Sequence, residues 1–488
     1  MTLTDALRVA TNSLASSQTQ LSTLSRNIAG VNDPDYVRRD AEVYTDRYNS
    51  SRVEVKRYVD QATYRASILA NAGAAKSDVV ASGLNRLASL QDKDTFAFAP
   101  SRLLADLQRA TELAAASPAD SSTLATLVEQ ARTTASGLNS SYNEILSMRA
   151  DADDQISSSV ERLNSLLAQL QPVNDSIVHA AKNGRHDFDG MDLRDQLINK
   201  ISSEIGVNVV PREDDDFILT TDNGILLFEG RPREITFEST PSYGPNTDGG
   251  ILRIDGVAVN GPSSSLPLRS GRIAGNLELR DNYLVQQRDQ LDEVARGLVE
   301  LYSETDQSGG TKPALAGLFT WSGGPTVPAS ATLEAGIART IQVNNLVDPQ
   351  SGGNPQLIRD GAINGDTDYQ YNTSGGASFS DRLFALSDAF NEARTFDVAA
   401  DLPTNVSLTE FATASLDFLS AQRKAANDNK EYKAELAVRF KETLQGQSGP
   451  NLDHEMSRLL EVERAYQATA RLLRTVDEML VTLMESVA

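Results

Sequence analysis

Few positions in this chain bring together residue types suited to chemistry. Its histidines are His179, His186 and His454. His179 and His186 have Asp187 and Asp189 close behind them, an imidazole and carboxylate set of the kind that holds a divalent cation. No ligand run of a known metal-binding spacing accompanies them, so a solvated loop after a helix is the simpler reading. Asp187-Phe188-Asp189-Gly190 has the acidic opening of a calcium loop but lacks the register of acidic positions and the closing Glu. Asp214-Asp215-Asp216 sits between two strand-like runs and reads as a charged turn. There is no phosphate loop, dinucleotide fingerprint or nucleophile elbow. A glycosidase-type carboxylate pair is permitted by residue type, yet it needs a cleft lined by aromatics, and the single Trp321 lies in a Gly-rich stretch. The expectation is a chain that is not an enzyme and has no catalytic residue, no metal site and no cofactor.

Composition narrows the class further. With 488 residues the chain has room for two to four domains. A net charge of −22 disfavours binding to a phosphate backbone, which relies on clustered Lys and Arg, so no nucleic-acid partner is expected. The absence of cysteine removes disulfides, thiolate metal sites and cysteine nucleophiles. The N-terminal stretch lacks the basic start and continuous apolar core of a secretory signal, and no apolar run is long enough to span a bilayer. The sequence therefore predicts a soluble chain without membrane insertion that leaves the cytoplasm, if it does, without a cleaved signal peptide.

What the chain does carry is helical patterning at both ends. Leu3, Leu7, Ala10, Leu14, Ser17, Leu21, Leu24 and Ile28 alternate steps of four and three, one stripe of a helix that Gly30 and Pro34 terminate. Leu452, Met456, Leu459, Tyr466, Ala470, Leu473, Val476, Leu480, Leu483 and Val487 make a matching stripe at the other end. Neither helix is stable alone, because its few apolar side chains do not offset the entropy of ordering it. Each stripe needs a partner, in its own chain or in another copy.

Between the ends, Arg38 to Val59 alternates as an extended segment or short hairpin, and helical periodicity returns from Thr63 and from Pro100. The longest helical signal runs from Leu124 to Pro172, where the proline is expected to stop it. A shorter helix, Leu193 to Ile205, ends at Gly206. Five strand-like runs lie between Val207 and Ile254, with Asn223-Gly224 and Asp255-Gly256 as hairpin turns. Helix resumes over Asn276 to Tyr302, Ser308 to Gly376 is loop-rich, Phe379 to Phe396 is a short helix, and a long one from Ser407 ends at Gly446. The predicted fold is mainly α with a β-rich insertion, an elongated multidomain protein with long antiparallel helices, discontinuous nested domains and coiled-coil terminal helices. Its expected parts are a terminal assembly domain (1–32 plus 451–488), a helical rod-like domain (33–206 plus 276–304 and 379–450), a β-rich inserted outer domain (207–275) and a loop-rich insertion (305–378).

Asn27-Ile28-Ala29-Gly30-Val31-Asn32-Asp33-Pro34-Asp35-Tyr36-Val37-Arg38 closely resembles the segment that follows the first helix of bacterial flagellar axial proteins, commonly Asn-Ile-Ala-Asn-x-x-Thr-x-Gly-Tyr-x-Arg. Asn27, Ile28, Ala29, Asn32, Tyr36 and Arg38 match, while Gly30, Asp33 and Asp35 replace the commoner Asn, Thr and Gly. Asp192-Leu193-Arg194-Asp195-Gln196-Leu197 and Gly275-Asn276-Leu277-Glu278-Leu279-Arg280-Asp281, the latter leading into Gln290-Leu291-Asp292, are similar to motifs of the hook-associated protein 1 (FlgK) family. Ser448-Gly449-Pro450-Asn451-Leu452-Asp453-His454-Glu455 and Ala465-Tyr466-Gln467-Ala468 resemble the ending shared by axial proteins.

The resemblance implies a structural subunit of the extracellular bacterial flagellum. Copies would form a ring joining hook to filament, with the terminal helices as concentric coiled coils and Leu3, Leu7, Leu14, Leu21, Leu24, Ile28, Leu452, Met456, Leu459, Tyr466, Leu473, Val476, Leu480 and Leu483 as the assembly interface. It also implies export in unfolded form by the flagellar type III apparatus and an export chaperone at the C-terminal region. The neighbours would be hook protein and a second junction protein or filament. The alternatives are another axial subunit of hook or rod and a peptidoglycan hydrolase.

Overall fold

The computed structural model describes residues 3–45, 51–89, 99–261 and 264–487. In chain order the helices are α1 (Leu3–Ala29), α2 (Gln61–Ser89), α3 (Pro100–Ala116), α4 (Ser121–Lys182), α5 (Phe188–Glu204), α6 (Arg272–Glu278), α7 (Leu284–Leu301), α8 (Ile337–Thr340), α9 (Leu357–Asp360), α10 (Asp381–Asp388), α11 (Leu408–Ser448) and α12 (Leu452–Val487). The strands are β1 (Arg39–Thr45), β2 (Ser51–Arg57), β3 (Val207–Pro211), β4 (Phe217–Thr221), β5 (Leu226–Glu229), β6 (Ile235–Phe237), β7 (Leu252–Ile254), β8 (Val257–Ala258), β9 (Phe319–Thr320), β10 (Gln342–Val343), β11 (Arg394–Thr395) and β12 (Asn405–Val406). The fold is mainly α with small antiparallel sheets, as the sequence predicts. None of the described helices is long and apolar enough to cross a membrane.

The chain divides into two compact units, each built from separated segments. The first comprises residues 1–74, 163–234 and 433–488. In it α1 packs against α12, and the hairpin β1-β2 lies against α1, with Ala41 opposite Val55 and Val43 opposite Val53. Leu163, Leu167, Leu170 and Ile177 of α4 are buried, as are Leu197, Ile198 and Ile201 of α5 and Phe217, Leu219 and Phe228 of the sheet β3-β4-β5.

The second unit comprises residues 75–162 and 235–432 and holds a large continuous apolar core. Leu104 and Leu107 of α3, Leu127, Leu138 and Tyr142 of α4, Leu291, Val294 and Leu298 of α7 and Phe411 of α11 all contribute to it. The stretch read from sequence as loop-rich has only short elements, yet Phe319, Ile337, Ile341, Val347 and Ile358 enter the same core.

Two local expectations are corrected. α4 does not stop at Pro172 but runs through it to Lys182. A proline inside a helix costs about 3 kcal/mol, and the stripe continues on the far side with Ile177 fully buried and Asn174 bonded to Asp216 at 2.8 Å, so packing offsets the lost bond. α11 likewise passes Gly446, ending where Gly449 N–H returns to the Gln445 carbonyl at 2.7 Å. The strands between 207 and 275 form two three-stranded sheets, β3-β4-β5 and β6-β7-β8. Both predicted turns are present, with positive φ at Gly224 (88°), Asp255 (50°) and Gly256 (80°).

Candidate assembly site at the terminal helices

In the first unit, α1 ends at Ala29, where the Gly30 N–H still reaches the Arg26 carbonyl at 2.9 Å. The chain then folds back on itself. Asp33 N–H bonds the Gly30 carbonyl (3.0 Å), Tyr36 N–H bonds the Asp33 carbonyl (3.2 Å), and the Asp33 side chain accepts from Asp35 N–H (3.0 Å). The returning Tyr36 ring lies against Gly30 so closely that a Cβ there would sit 2.5 Å from the ring. That contact explains glycine at a position where the resemblance expects Asn. Asp35 does not have the left-handed backbone that the usual glycine would allow.

Folding back places four groups around the fully buried Asn27. Its side-chain oxygen accepts from Tyr36 O–H (3.0 Å) and Arg39 N–H (3.1 Å). Its amide donates to the Arg39 carbonyl (2.8 Å) and to Glu455 Oε2 (2.9 Å). Two donors and two acceptors are the whole capacity of an asparagine side chain, so the hub is saturated.

Glu455 stands in the first turn of α12, where a carboxylate is favoured by the helix dipole. Its other oxygen receives Arg38 Nε at 2.8 Å, while Arg38 N–H closes onto the Ser448 carbonyl at 2.8 Å. Arg458, one turn along, bonds Asp40 at 2.9 Å. The joint thus ties the end of α1, the start of β1, the end of α11 and the start of α12. Because Asn27 near the end of α1 meets Glu455 at the start of α12, the two helices run antiparallel.

A second layer holds the hairpin. Arg39 is buried between the rings of Tyr36 and Phe188, with its guanidinium carbon 5.1 and 5.7 Å from their centroids. It donates to Asp189 (2.6 Å) and Asp192 (3.0 Å). Arg57 of β2 donates to the other oxygen of Asp192 (2.8 Å) and to Asp195 (2.7 Å), whose second oxygen accepts Tyr64 O–H at 3.1 Å. Burial pushes the Asp192 carboxyl above the usual range against the pull of Arg57 and Arg39. Burial, reinforced by Asp195, pushes the Tyr64 hydroxyl well up. The Leu-Arg-Asp motif therefore supplies a carboxylate clamp for two arginines of the hairpin.

In the second unit, Gly275 lets α6 approach α2 so closely that a Cβ would lie 2.9 Å from the Lys76 carbonyl oxygen. Arg280, fully buried in the π-helical turn Leu279–Tyr283, bonds Asp153 (2.5 Å), Asp281 (2.7 Å) and the Gly250 carbonyl (3.0 Å). Gln290 donates to the Ala400 carbonyl (3.1 Å) and accepts from Ser415 (2.6 Å). Asp292 caps the segment after Gly336, accepting Gly336 and Ala338 N–H at 2.9 Å each, and burial pushes its carboxyl up to about 7 despite those two bonds. These motif residues organise backbone.

The terminal stripes are placed as follows. Leu24 is buried, and Leu7, Leu14, Leu21 and Ile28 are half-buried, as are Leu459, Tyr466, Leu473, Val476 and Leu480. Leu452 and Met456 are exposed, and Leu3, Leu483 and Val487 lie outside the described side chains. Exposed beside them on α12 are Leu460, Leu472, Met479, Val481 and Met484. Of the signature, Asn27 is buried, Ile28, Tyr36 and Arg38 are half-buried, and Ala29 and Asn32 are exposed. Arg39 and Arg57 were not singled out by sequence reasoning, and Glu455 only as part of the axial-type ending.

The residues considered for metal binding have other partners. Asp187 caps α5 through Gly190 N–H (2.9 Å), Asp189 holds Arg39, and His186 Nδ1 lies 2.8 Å from Asp215. Asp214 and Asp215 adopt φ of 56° in the turn between β3 and β4. Among the described residues no group of three or more His, Asp or Glu is arranged to hold a metal ion.

Comparison with known proteins agrees with these features. Residues 100–316 match the model described as the flagellar hook-associated protein FlgK helical domain, and residues 447–485 match that of the flagellar basal body rod FlgEFG protein C-terminal region. Flagellar hook-associated protein 1 of Bacillus subtilis is 23% identical over 363 residues, 69% of this chain and 66% of that protein. The proteins of the same name from Escherichia coli and Salmonella typhimurium are each 26% identical, over 33% and 36% of this chain. Those two alignments span about a third of the relatives' own length, 30% and 32%. In fold the chain is similar to the flagellar hook junction protein FlgK from Burkholderia pseudomallei, with a TM-score of 0.58 and 13% identity over 78% of this chain and 99% of that one. The matched helical domain, the matched C-terminal region and the curated relatives together support assigning the chain to the FlgK family of flagellar hook-associated proteins.

Proposed function

We propose that this chain is a structural, non-catalytic subunit of the extracellular flagellum that assembles as a ring joining hook to filament and acts as a mechanical adaptor between them. The observation that carries the reading is the apolar face that α12 keeps outside its pairing with α1: Leu452, Met456, Leu460, Val481 and Met484. A two-helix pair with a half-buried seam and an open apolar flank is stabilised by neighbours. Further copies supply them, and the terminal segments 1–32 and 451–488 form the assembly domain. Beyond the joint at Asn27 these helices are held only by their own half-buried seam, and docking completes their ordering, which suits export of the subunit in unfolded form by the flagellar type III apparatus. Before docking, the same apolar face suits an export chaperone at the C-terminal region; after it, the neighbours are hook protein and a second junction protein or filament.

Leu460→Asp combined with Val481→Asp tests this. The purified variant is expected to unfold at the same temperature as the parent, because both side chains are exposed, while cells carrying it bear hooks without filaments. Normal filaments on those cells overturn the proposal. The match of residues 447–485 to the rod-protein ending supports a second reading, a hook or rod subunit. Loss of the hook itself in a strain lacking the chain would favour that reading.

A further inference from the structure

Three arginines converge in the second unit. Arg280 is neutralised by Asp153 and Asp281, and Arg288 by Asp289 at 2.7 Å. Arg149, from α4, has no such partner. It is 2% exposed, its Nε donates to the Arg280 carbonyl at 3.2 Å, and its guanidinium carbon lies 4.3 Å from the centroid of Tyr243. Its Nη1 makes no hydrogen bond, and among the described residues no carboxylate lies within ion-pair distance of it. Burial first, then the charge of Arg288, hold its pKa below the usual arginine range. An unpaired buried charge is among the costliest features a core can retain, so its presence points to a partner from outside the chain.

The surroundings specify that partner. Arg149 lines a cavity of about 680 Å³, within the range of small-molecule sites. Thr247 and Asn282 add polar atoms to its wall, and Val259, Leu277 and Val285 add apolar ones. Its carboxylates are already engaged or in solvent: Glu278 pairs with Lys76 at 2.6 Å, Asp281 with Arg280 at 2.7 Å, and Asp248 is exposed. Their charge disfavours a dianion such as phosphate and leaves room for one negative charge at Arg149.

We propose that this cavity binds an organic monocarboxylate, its head group paired with Arg149 and its apolar body against Leu277, Val285 and Val259. The site is independent of the terminal helices and of the assembly role.

The test uses the full chain with hexanoate as probe and acetate and hexanamide as controls, read by calorimetry and by the unfolding midpoint. Hexanoate is expected to bind saturably and raise the midpoint, hexanamide to do neither, and acetate to bind more weakly because it leaves the apolar wall uncovered. Arg149→Met should weaken hexanoate by about 30-fold or more without lowering the midpoint of the free protein, since an apolar group replaces an unpaired charge. Val285→Trp, which fills the cavity and keeps the arginine, should abolish binding and decides the matter if Arg149→Met fails to fold. No response to hexanoate, equal affinity for acetate, or unchanged binding in either variant overturns the proposal. So does a lowered midpoint in a folded Arg149→Met, which would make the arginine structural.

Discussion

Replacing Asn27 tests the terminal joint most directly. Asn27→Ala removes four hydrogen bonds at a fully buried position. Tyr36 is half-buried, so its hydroxyl can turn to water, and Glu455 keeps Arg38. The N–H and C=O of Arg39, a buried residue, lose their partner, at roughly 1 to 2 kcal/mol each. A loss of about 3 kcal/mol corresponds to local opening about 100-fold more frequent. Hydrogen–deuterium exchange on the full chain reads this in the peptides of α1 and the first turns of α12, with α7 of the second unit as an unchanged reference.

Asn27→Asp sharpens the test. It keeps both acceptor contacts but turns a carboxylate oxygen toward the Arg39 carbonyl and the Glu455 carboxylate, which face the amide in the parent. At neutral pH it should open the joint more than Asn27→Ala. The deficit should shrink in mild acid, as the introduced carboxylate takes up a proton. Acceleration below about threefold in Asn27→Ala, or an Asn27→Asp variant no worse than it at neutral pH, refutes the hub.

Gly30→Ala should destabilise the first unit by roughly 1 to 3 kcal/mol, because a methyl group 2.5 Å from the Tyr36 ring must displace it; a melting temperature equal to the parent's would count against the contact. Asp292, with its carboxyl raised from 3.8 to about 7, keeps its proton in the folded state over an interval in which the unfolded chain has lost it. The second unit should therefore lose stability as pH rises from about 4 to 7, by on the order of 4 kcal/mol from this group. Asp292→Asn should flatten that slope in denaturant titrations at the two ends of the interval, and an unchanged slope would remove Asp292 as its source. Deleting residues 452–488 takes away the partner of α1, so exchange across Leu7 to Ile28 should approach that of an unfolded peptide while α7 stays protected; persistent protection of α1 would show that it is held otherwise.

What could be read beforehand was what is local. The stripes of α1 and α12, the hairpin after Arg38 and the turns at Gly224 and Gly256 each depend on residues a few positions apart, so periodicity and turn chemistry reach them. Pro172 and Gly446 were misjudged for one reason: a helix breaker carries a fixed local cost, whereas the packing that outweighs it is tertiary. Strands such as β9 to β12, two residues each, are too short for any alternation to register. At the joint, Asn27, Tyr36 and Glu455 were visible as a resemblance, but nothing paired Glu455 with the amide until the fold brought them together. The pairing of Arg39 and Arg57 with Asp192 and Asp195 was invisible likewise, since charge complementarity in a sequence has no address.

Asn27 and Glu455 are 428 positions apart, whereas Tyr36 and Arg39 follow Asn27 within a dozen. For a chain emerging from its N-terminus, three of the four bonds at the hub can form almost at once and the fourth only after nearly everything else has appeared. Closing so long a loop is entropically the most demanding contact of the set. The joint thus waits on the far end of the chain: one interrupted before Glu455 holds a half-made knot and lacks the helix that packs along α1. Ribosome-stalled chains ending before and after residue 455 should differ in protease resistance across α1, and equal resistance would show that the knot needs no closing.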